Sequence, residues 1–234
     1  MTGQSMALSK QWTWVGAFGP DVMLCAAAAR VGPVRSAWWA VWDGARLHER
    51  TYRRLGPVTA TPERVAVRGV LDLSVATGTS WECTTGPIWT RKSPCVVRGT
   101  VLGREVELRG LVDESGGRHA RETAWWWSCG VGETGDGRAV TWNLVDGLHD
   151  GVDESERCVW VDGRPEHVPP QPFRGFDGVG GLGFEAVATR ARREDYGVLM
   201  SDYEAPFGRF AGSLPVAGEV VRGWGVMERH SARW

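Results

Sequence analysis

The chain has 234 residues and a net charge of −1, with 27 Lys and Arg against 28 Asp and Glu, so it carries no global field to draw nucleic acid or acidic lipid. Apolar residues make up 42% of it, which supports a folded core, and no apolar run approaches the roughly 20 residues of a membrane helix. Five cysteines, an odd number with no C-x-x-C pair, argue against a disulfide framework and a structural zinc site.

The chain begins with an arm, residues 1–10, that is polar and lacks the basic start and apolar middle of a signal peptide, which predicts a cytoplasmic protein. Trp12 to Phe18 reads as a strand ended by Gly19-Pro20-Asp21. Val22 to Val31 returns as its hairpin partner. Arg35 to Trp42 and Arg46 to Tyr52 flank the Asp43-Gly44 turn signal. Pro57 to Pro62 reads as a loop, and Arg64 to Arg68 and Leu71 to Ala76 as short strands. Trp81 to Pro94 reads as irregular. Cys95 to Val101 and Arg104 to Arg109 form a clear hairpin around Leu102-Gly103.

The centre of the chain is the run Thr123 to Gly130, which holds three consecutive tryptophans and is followed by a Gly/Asp turn and a second strand, Arg138 to Val145. In a strand, alternate side chains share a face. Thr123, Trp125, Trp127 and Cys129 therefore lie on one side, and Ala124, Trp126 and Ser128 on the other. Arg157 to Val161 is a strand ending at Asp162-Gly163. Pro165 to Gly181 reads as a long Pro/Gly loop, of a length that is often functional or a lid. Gly183 to Ala191, Gly197 to Tyr203, Arg209 to Leu214 and Val220 to His230 are strands.

Short strands with frequent turns and no convincing helix predict an all-β fold, an antiparallel barrel or sandwich. Two Trp-rich hairpins, at 35–52 and 123–145, divide it into an N-terminal β subdomain, 11–113, and a C-terminal one, 114–234. Fourteen tryptophans, each able to bury roughly 150–250 Å², should dominate the core or a pocket.

Several stretches together resemble the family known as domain of unknown function 2804. They are 117–130, Trp142-Asn143-Leu144-Val145-Asp146-Gly147, Ser155 to Gly163, Ser201 to Gly212, and Gly223 to Trp234. The resemblance covers most of the chain and is strongest after residue 95. It implies a lipocalin-like β fold, remotely similar to carotenoid hydratases and tocopherol cyclases, which handle greasy polyunsaturated substrates. That second step is an analogy of fold and implies no catalytic residues.

The residues themselves offer candidates. Trp224, Val226, Glu228 and His230 alternate along the last strand, so Glu228 and His230 make an acid/base pair if that face is interior, or a solvated chain end if it is not. His119, among Arg118, Arg121 and Glu122, is a further acid or base, or a loop histidine bonded to backbone. Trp125, Trp127, Trp142, Asn143 and Trp224 are the expected ligand-binding residues. Cys129 is readable as a nucleophile but far more often such a thiol is a small buried hydrophobe. Asp146 fits a turn, and Asp202 a salt bridge. There is no metal-ligand spacing, nucleophile elbow, phosphate loop or dinucleotide fingerprint, so no metal or cofactor is expected.

The leading expectation is a protein that binds a small hydrophobic molecule in a Trp-lined cavity, with cofactor-free isomerase, hydratase or cyclase chemistry left open. A carrier or sensor without turnover and a carbohydrate-binding module are the alternatives. Nucleic-acid binding is the least supported, and the sequence is silent on oligomeric state.

Overall fold

The computed structural model describes residues 8–152, 154–195, 197 and 200–233. Most of the expected arm, residues 1–7, lies outside this range, and from Leu8 onward the chain is already strand. The first half contains β1 (Leu8–Phe18), β2 (Met23–Val31), β3 (Val34–Trp42), β4 (Leu47–Tyr52), β5 (Val58–Ala60), β6 (Arg64–Val67), β7 (Leu71–Thr77), β8 (Trp81–Thr85), β9 (Ile88–Val101) and β10 (Arg104–His119). The second half contains β11 (Glu122–Thr134), β12 (Ala139–Asp146), β13 (Cys158–Val161), β14 (Arg164–His167), β15 (Gly178–Val179), β16 (Gly181–Asp195), β17 (Met200–Leu214) and β18 (Gly218–Arg233).

The expected all-β architecture is the one found, two antiparallel sheets in the manner of a lipocalin-like fold with two β subdomains. The first sheet runs β4-β3-β2-β1-β10-β9-β7-β6-β5, with β8 also on β9; the second runs β14-β13-β12-β11-β18-β17-β16-β15. Only Ala120 and Arg121 join them. Turn chemistry sets much of the register. Leu102-Gly103 and Asp162-Gly163 both have positive φ at both positions (51° and 80°, 49° and 78°), the tight hairpin turn whose twist matches that of the strands.

Alternation along the central strands feeds three cores. In β1, Val15 and Ala17 face a core inside the first sheet, which curls so that edge residues Val58 and Ala60 of β5 pack with Leu24 and Ala26 of β2. In β12, Val140, Trp142 and Leu144 face a core inside the second sheet, with Leu182, Phe210 and Met227. The other faces meet in a layer between the sheets: Trp14, Phe18, Cys25 and Trp42 from the first half against Trp127, Cys129, Phe207 and Val226 from the second.

Four stretches differ from their sequence reading. Residues 81–94 are not irregular but a hairpin, β8 and the start of β9 joined at Gly86-Pro87. Pro94 is tolerated because its carbonyl accepts from Gly78 at 2.7 Å, so its nitrogen faces the gap between β7 and β8 where no ladder partner is needed. The 57–62 loop contains the short edge strand β5. The run 200–214 is one strand, although its ladder to β18 skips Ala205 and Pro206. The long 165–181 segment is not a lid over the inter-sheet layer. It contains β14 and β15, buries Val168 and Val179, and lays Phe173 and Phe176 against Trp126, covering the far face of the second sheet.

That far face is shaped by glycine. Gly130, Gly225 and Gly208 lie side by side across β11, β18 and β17. The Trp142 ring occupies the place of a Gly130 side chain and the Phe184 ring that of Gly208. A Cβ on Gly225 would stand 2.2 Å from the Cys129 carbonyl oxygen, a backbone atom that cannot yield without parting the strands. Gly225→Ala should therefore cost about 2 kcal/mol or more, read as a lower urea midpoint at unchanged slope.

Candidate functional site

A cavity opens in the layer between the sheets. Trp14 (β1), Cys25 (β2) and Trp38 (β3) form one wall, and Trp127 (β11), Arg190 (β16), Tyr203, Ala205 and Phe207 (β17), and Val226 and Glu228 (β18) form the other. Its free space for the centre of a water-sized molecule is about 20 Å³, so it admits a water or the small end of a ligand, and a larger body must enter by moving a mouth side chain. Trp14 and Trp127 meet edge to face, ring centres 5.0 Å apart, across its floor.

The polar groups all come from the second sheet. Trp125 Nε1 donates to Glu228 Oε1 at 3.1 Å. His230 Nδ1 lies 3.5 Å from the same oxygen, and its Nε2 bonds Ser201 Oγ at 3.0 Å. The Trp125 ring sits 4.3 Å from the imidazole, centre to centre. Glu228 is thus a carboxylate on the cavity wall, bonded by Trp125 and with His230, itself bonded to Ser201, at ion-pair distance, a placement from which a carboxyl group can give or take a proton.

Arg190 is buried beside them. Its guanidinium carbon lies 4.6 Å from the Tyr203 ring centre and 5.7 Å from that of Trp38. One Nη donates to Thr51 Oγ1 at 2.8 Å, and Nε lies 2.9 Å from Glu49 Oε2, close enough for an ion pair but at an angle that makes no hydrogen bond. Burial pulls its pKa below the usual arginine range. A register shift between Ala186 and Ala188 in β16 turns the strand upstream of Arg190.

Of the expected residues, Trp127 and Glu228 line the cavity, and Trp125 and His230 hold Glu228 from behind. Asn143 is spent within the protein: its Oδ1 accepts from Trp127 Nε1 at 2.8 Å and its Nδ2 donates to the Glu156 carbonyl at 2.8 Å. Trp142 points to the opposite face, bonding Ser128 at 3.1 Å and packing on Phe210. Trp224 shares the inter-sheet layer but sits under Arg222, away from the cavity walls. Cys129 is fully buried and its thiol is held well above the ordinary value, as is that of Cys25, pushed by burial to about 11, so burial disfavours the thiolate at both. Sequence reasoning missed Arg190 and Tyr203. Tyr203, Ala205 and Phe207 do alternate with Glu204 and Pro206, a usable signal, whereas the bulge at Val187 hides the period around Arg190.

His119 lies elsewhere, in a buried ionic cluster that also escaped the sequence reading. Lys92 Nζ contacts Asp113 Oδ1 and lies 3.2 Å from Glu156 Oε2; His149 Nδ1 lies 3.3 Å from that same Glu156 oxygen. Trp12 Nε1 donates to Asp113 Oδ2 at 3.4 Å. The His119 ring stands 5.3 Å from that of Trp12 and 5.7 Å from that of His149, and His149 itself takes a positive φ of 50°. Burial opposes the charge on Lys92, but Asp113 and Glu156 outweigh it and hold the ammonium above its usual pKa. Burial lifts Asp113; Glu156 is lowered, since Lys92 and His149 overcome burial there. Burial, then Lys10 and His149, push His119 down to about 4. Among the described residues no three His, Cys, Asp or Glu side chains are placed to hold a metal ion.

No family model matches the chain, and no curated protein matches it in sequence. Among solved structures, a protein of Nitrosomonas europaea provisionally assigned as AttH is similar over 95% of this chain and 92% of its own, at 13% identity and a TM-score of 0.48. Kievitone hydratase from Nectria haematococca is similar over 94% of this chain and 88% of its own, at 10% identity and a TM-score of 0.44. Likeness at this level says nothing of chemistry.

Two outcomes follow from the ionic cluster. Lys92→Met leaves Asp113 and Glu156 buried without their cation and should cost about 3–5 kcal/mol in urea unfolding. His119 binds its proton more readily unfolded (6.5) than folded (about 4), so its contribution is complete above pH 6.5 and is lost as pH falls toward 4. His119→Asn should flatten the fall of stability across that window, measured by urea unfolding at a series of pH values.

Proposed function

We propose that the protein binds a small, mainly apolar molecule in the cavity between its sheets and exchanges a proton with it through Glu228. The observation that carries this reading is a carboxylate opening onto a Trp-lined cavity while Trp125 and His230 fix it from behind. A carboxylate held in place at a low-dielectric wall suits proton addition to, or removal from, an alkene or enol, the step shared by cofactor-free isomerases, hydratases and cyclases. Kinship with family 2804 belongs to the same reading. It is supported by the motif runs 117–130, 201–212 and 223–234, whose strands β11, β18 and β17 are neighbours in the sheet and supply Trp127, Tyr203 and Glu228. The sugar-binding alternative loses ground, since among the described tryptophans Trp89 alone is exposed and no flat aromatic row is presented.

Native mass spectrometry of the protein purified from its own host tests the binding claim: a low-mass compound should accompany the folded chain and leave on unfolding. With that compound in hand, Glu228→Gln keeps an oxygen for Trp125 and should melt within a few degrees of the native protein, yet lower turnover about 100-fold or more. If the compound is returned unchanged and the variant differs in affinity alone, the protein is a carrier. A large drop in melting temperature with binding intact would make Glu228 and His230 an anchor for the chain end.

A further inference from the structure

We propose that Tyr203 and Arg190 form an oxygen-binding subsite within this cavity, and that the ligand it takes is a small, neutral, unsaturated ketone or aldehyde. The inference rests on the cavity being the binding site. Its starting point is the Tyr203 hydroxyl, which is buried and, among the described residues, has no hydrogen-bond partner. A phenol in such a place usually finds one, because leaving it unpaired destabilises the fold. Here the hydroxyl belongs to a side chain that lines the cavity, so the partner it lacks in the protein is one a ligand can bring.

Arg190 adds charge to the wall of the same cavity. Glu49 and Thr51 fix its guanidinium, which lies 4.6 Å over the Tyr203 ring and borders the same space. A cation on the ring face withdraws electron density and makes the phenol a better donor. Donor and cation together stabilise an oxygen that gains negative charge, as a carbonyl oxygen does when a proton is removed from its conjugated system to give the enolate. Charge balance sets the ligand's own charge. Arg190 is already paired with Glu49 and shares the cavity lining with Glu228, so a carboxylate ligand would add a further anion beside the single cation of that lining, at the cost of an unpaired charge. The remaining lining, Trp14, Trp38, Trp127 and Phe207, offers flat apolar faces for an unsaturated body.

Three probes of one ring size test this by ligand-observed NMR: cyclohex-2-enone, cyclohexene, and cyclohex-1-ene-1-carboxylate. The native protein should bind the enone about tenfold more tightly than cyclohexene, the value of one good hydrogen bond, and the carboxylate no better than the enone. In Tyr203→Phe the enone should lose most of its advantage over cyclohexene, with the affinity for cyclohexene unchanged and a melting temperature at or above that of the native protein. Equal binding of enone and cyclohexene by the native protein overturns the subsite while leaving the cavity as a binding site. So does a Tyr203→Phe variant that keeps the enone preference. A carboxylate that outbinds the enone overturns the neutral-ligand assignment. Failure of all three probes to bind overturns the subsite and the cavity reading together.

Discussion

The contact of Lys92 with Asp113 and Glu156 is the constraint under which the two halves of this chain come together. Lys92 and Asp113 belong to the first sheet, on paired strands, while Glu156 comes from the segment between β12 and β13 of the second. Each ion costs several kcal/mol to desolvate, and the cluster is tolerable only when all its members are present. An apolar layer by itself is permissive about how two sheets slide over one another. A buried ion triad is not, because a small displacement separates charges in a medium that screens them weakly. Directional bonds reinforce the same mating: Trp81 to the Ser155 carbonyl at 3.0 Å, Trp160 to that of Thr79 at 2.8 Å, and Arg109 to that of Gly132 at 3.1 Å all cross between the halves.

The cavity follows from that mating. Once the sheets are fixed, Trp14 and Trp127 are brought edge to face, and the space beyond them is bounded by whatever the next strands present. The ionic cluster and the cavity occupy one layer, linked by a chain of contacts: Trp127 bonds Asn143, Asn143 bonds the Glu156 backbone, and the Glu156 side chain reaches Lys92. The polar groups of the layer are thus held at its two ends, with aromatic rings between.

How much of this the sequence discloses depends on what each element leaves to local chemistry. The Asp-Gly and Leu-Gly turns, the alternation through Trp125, Trp127 and Cys129, and that through Trp224, Val226, Glu228 and His230 are local, and they are legible. The strands at 81–94 are not, because Pro94 argues against a strand until its neighbours β7 and β8 are known to part there. Nor is the choice between faces. In β11 both faces are buried, one against the first sheet and one against Trp142 and Phe176, so Trp126 and Trp127 look alike in sequence. Trp142 and Asn143 read as ligand contacts for the same reason. Lys92 and Glu156 are 64 positions apart and carry charges that normally mark solvent; only the folded register pairs them.

The site's two walls have different owners. From the first sheet come Trp14, Cys25 and Trp38, which have shape and little else, while Arg190, Tyr203 and Glu228 all stand on the second. The division is incomplete at one point: Arg190 lies over the Trp38 ring of β3 and donates to Thr51 of β4, so a cation carried by one sheet is oriented by the other. The charge that borders the hollow therefore depends on the register between the halves as much as on the strand that bears it.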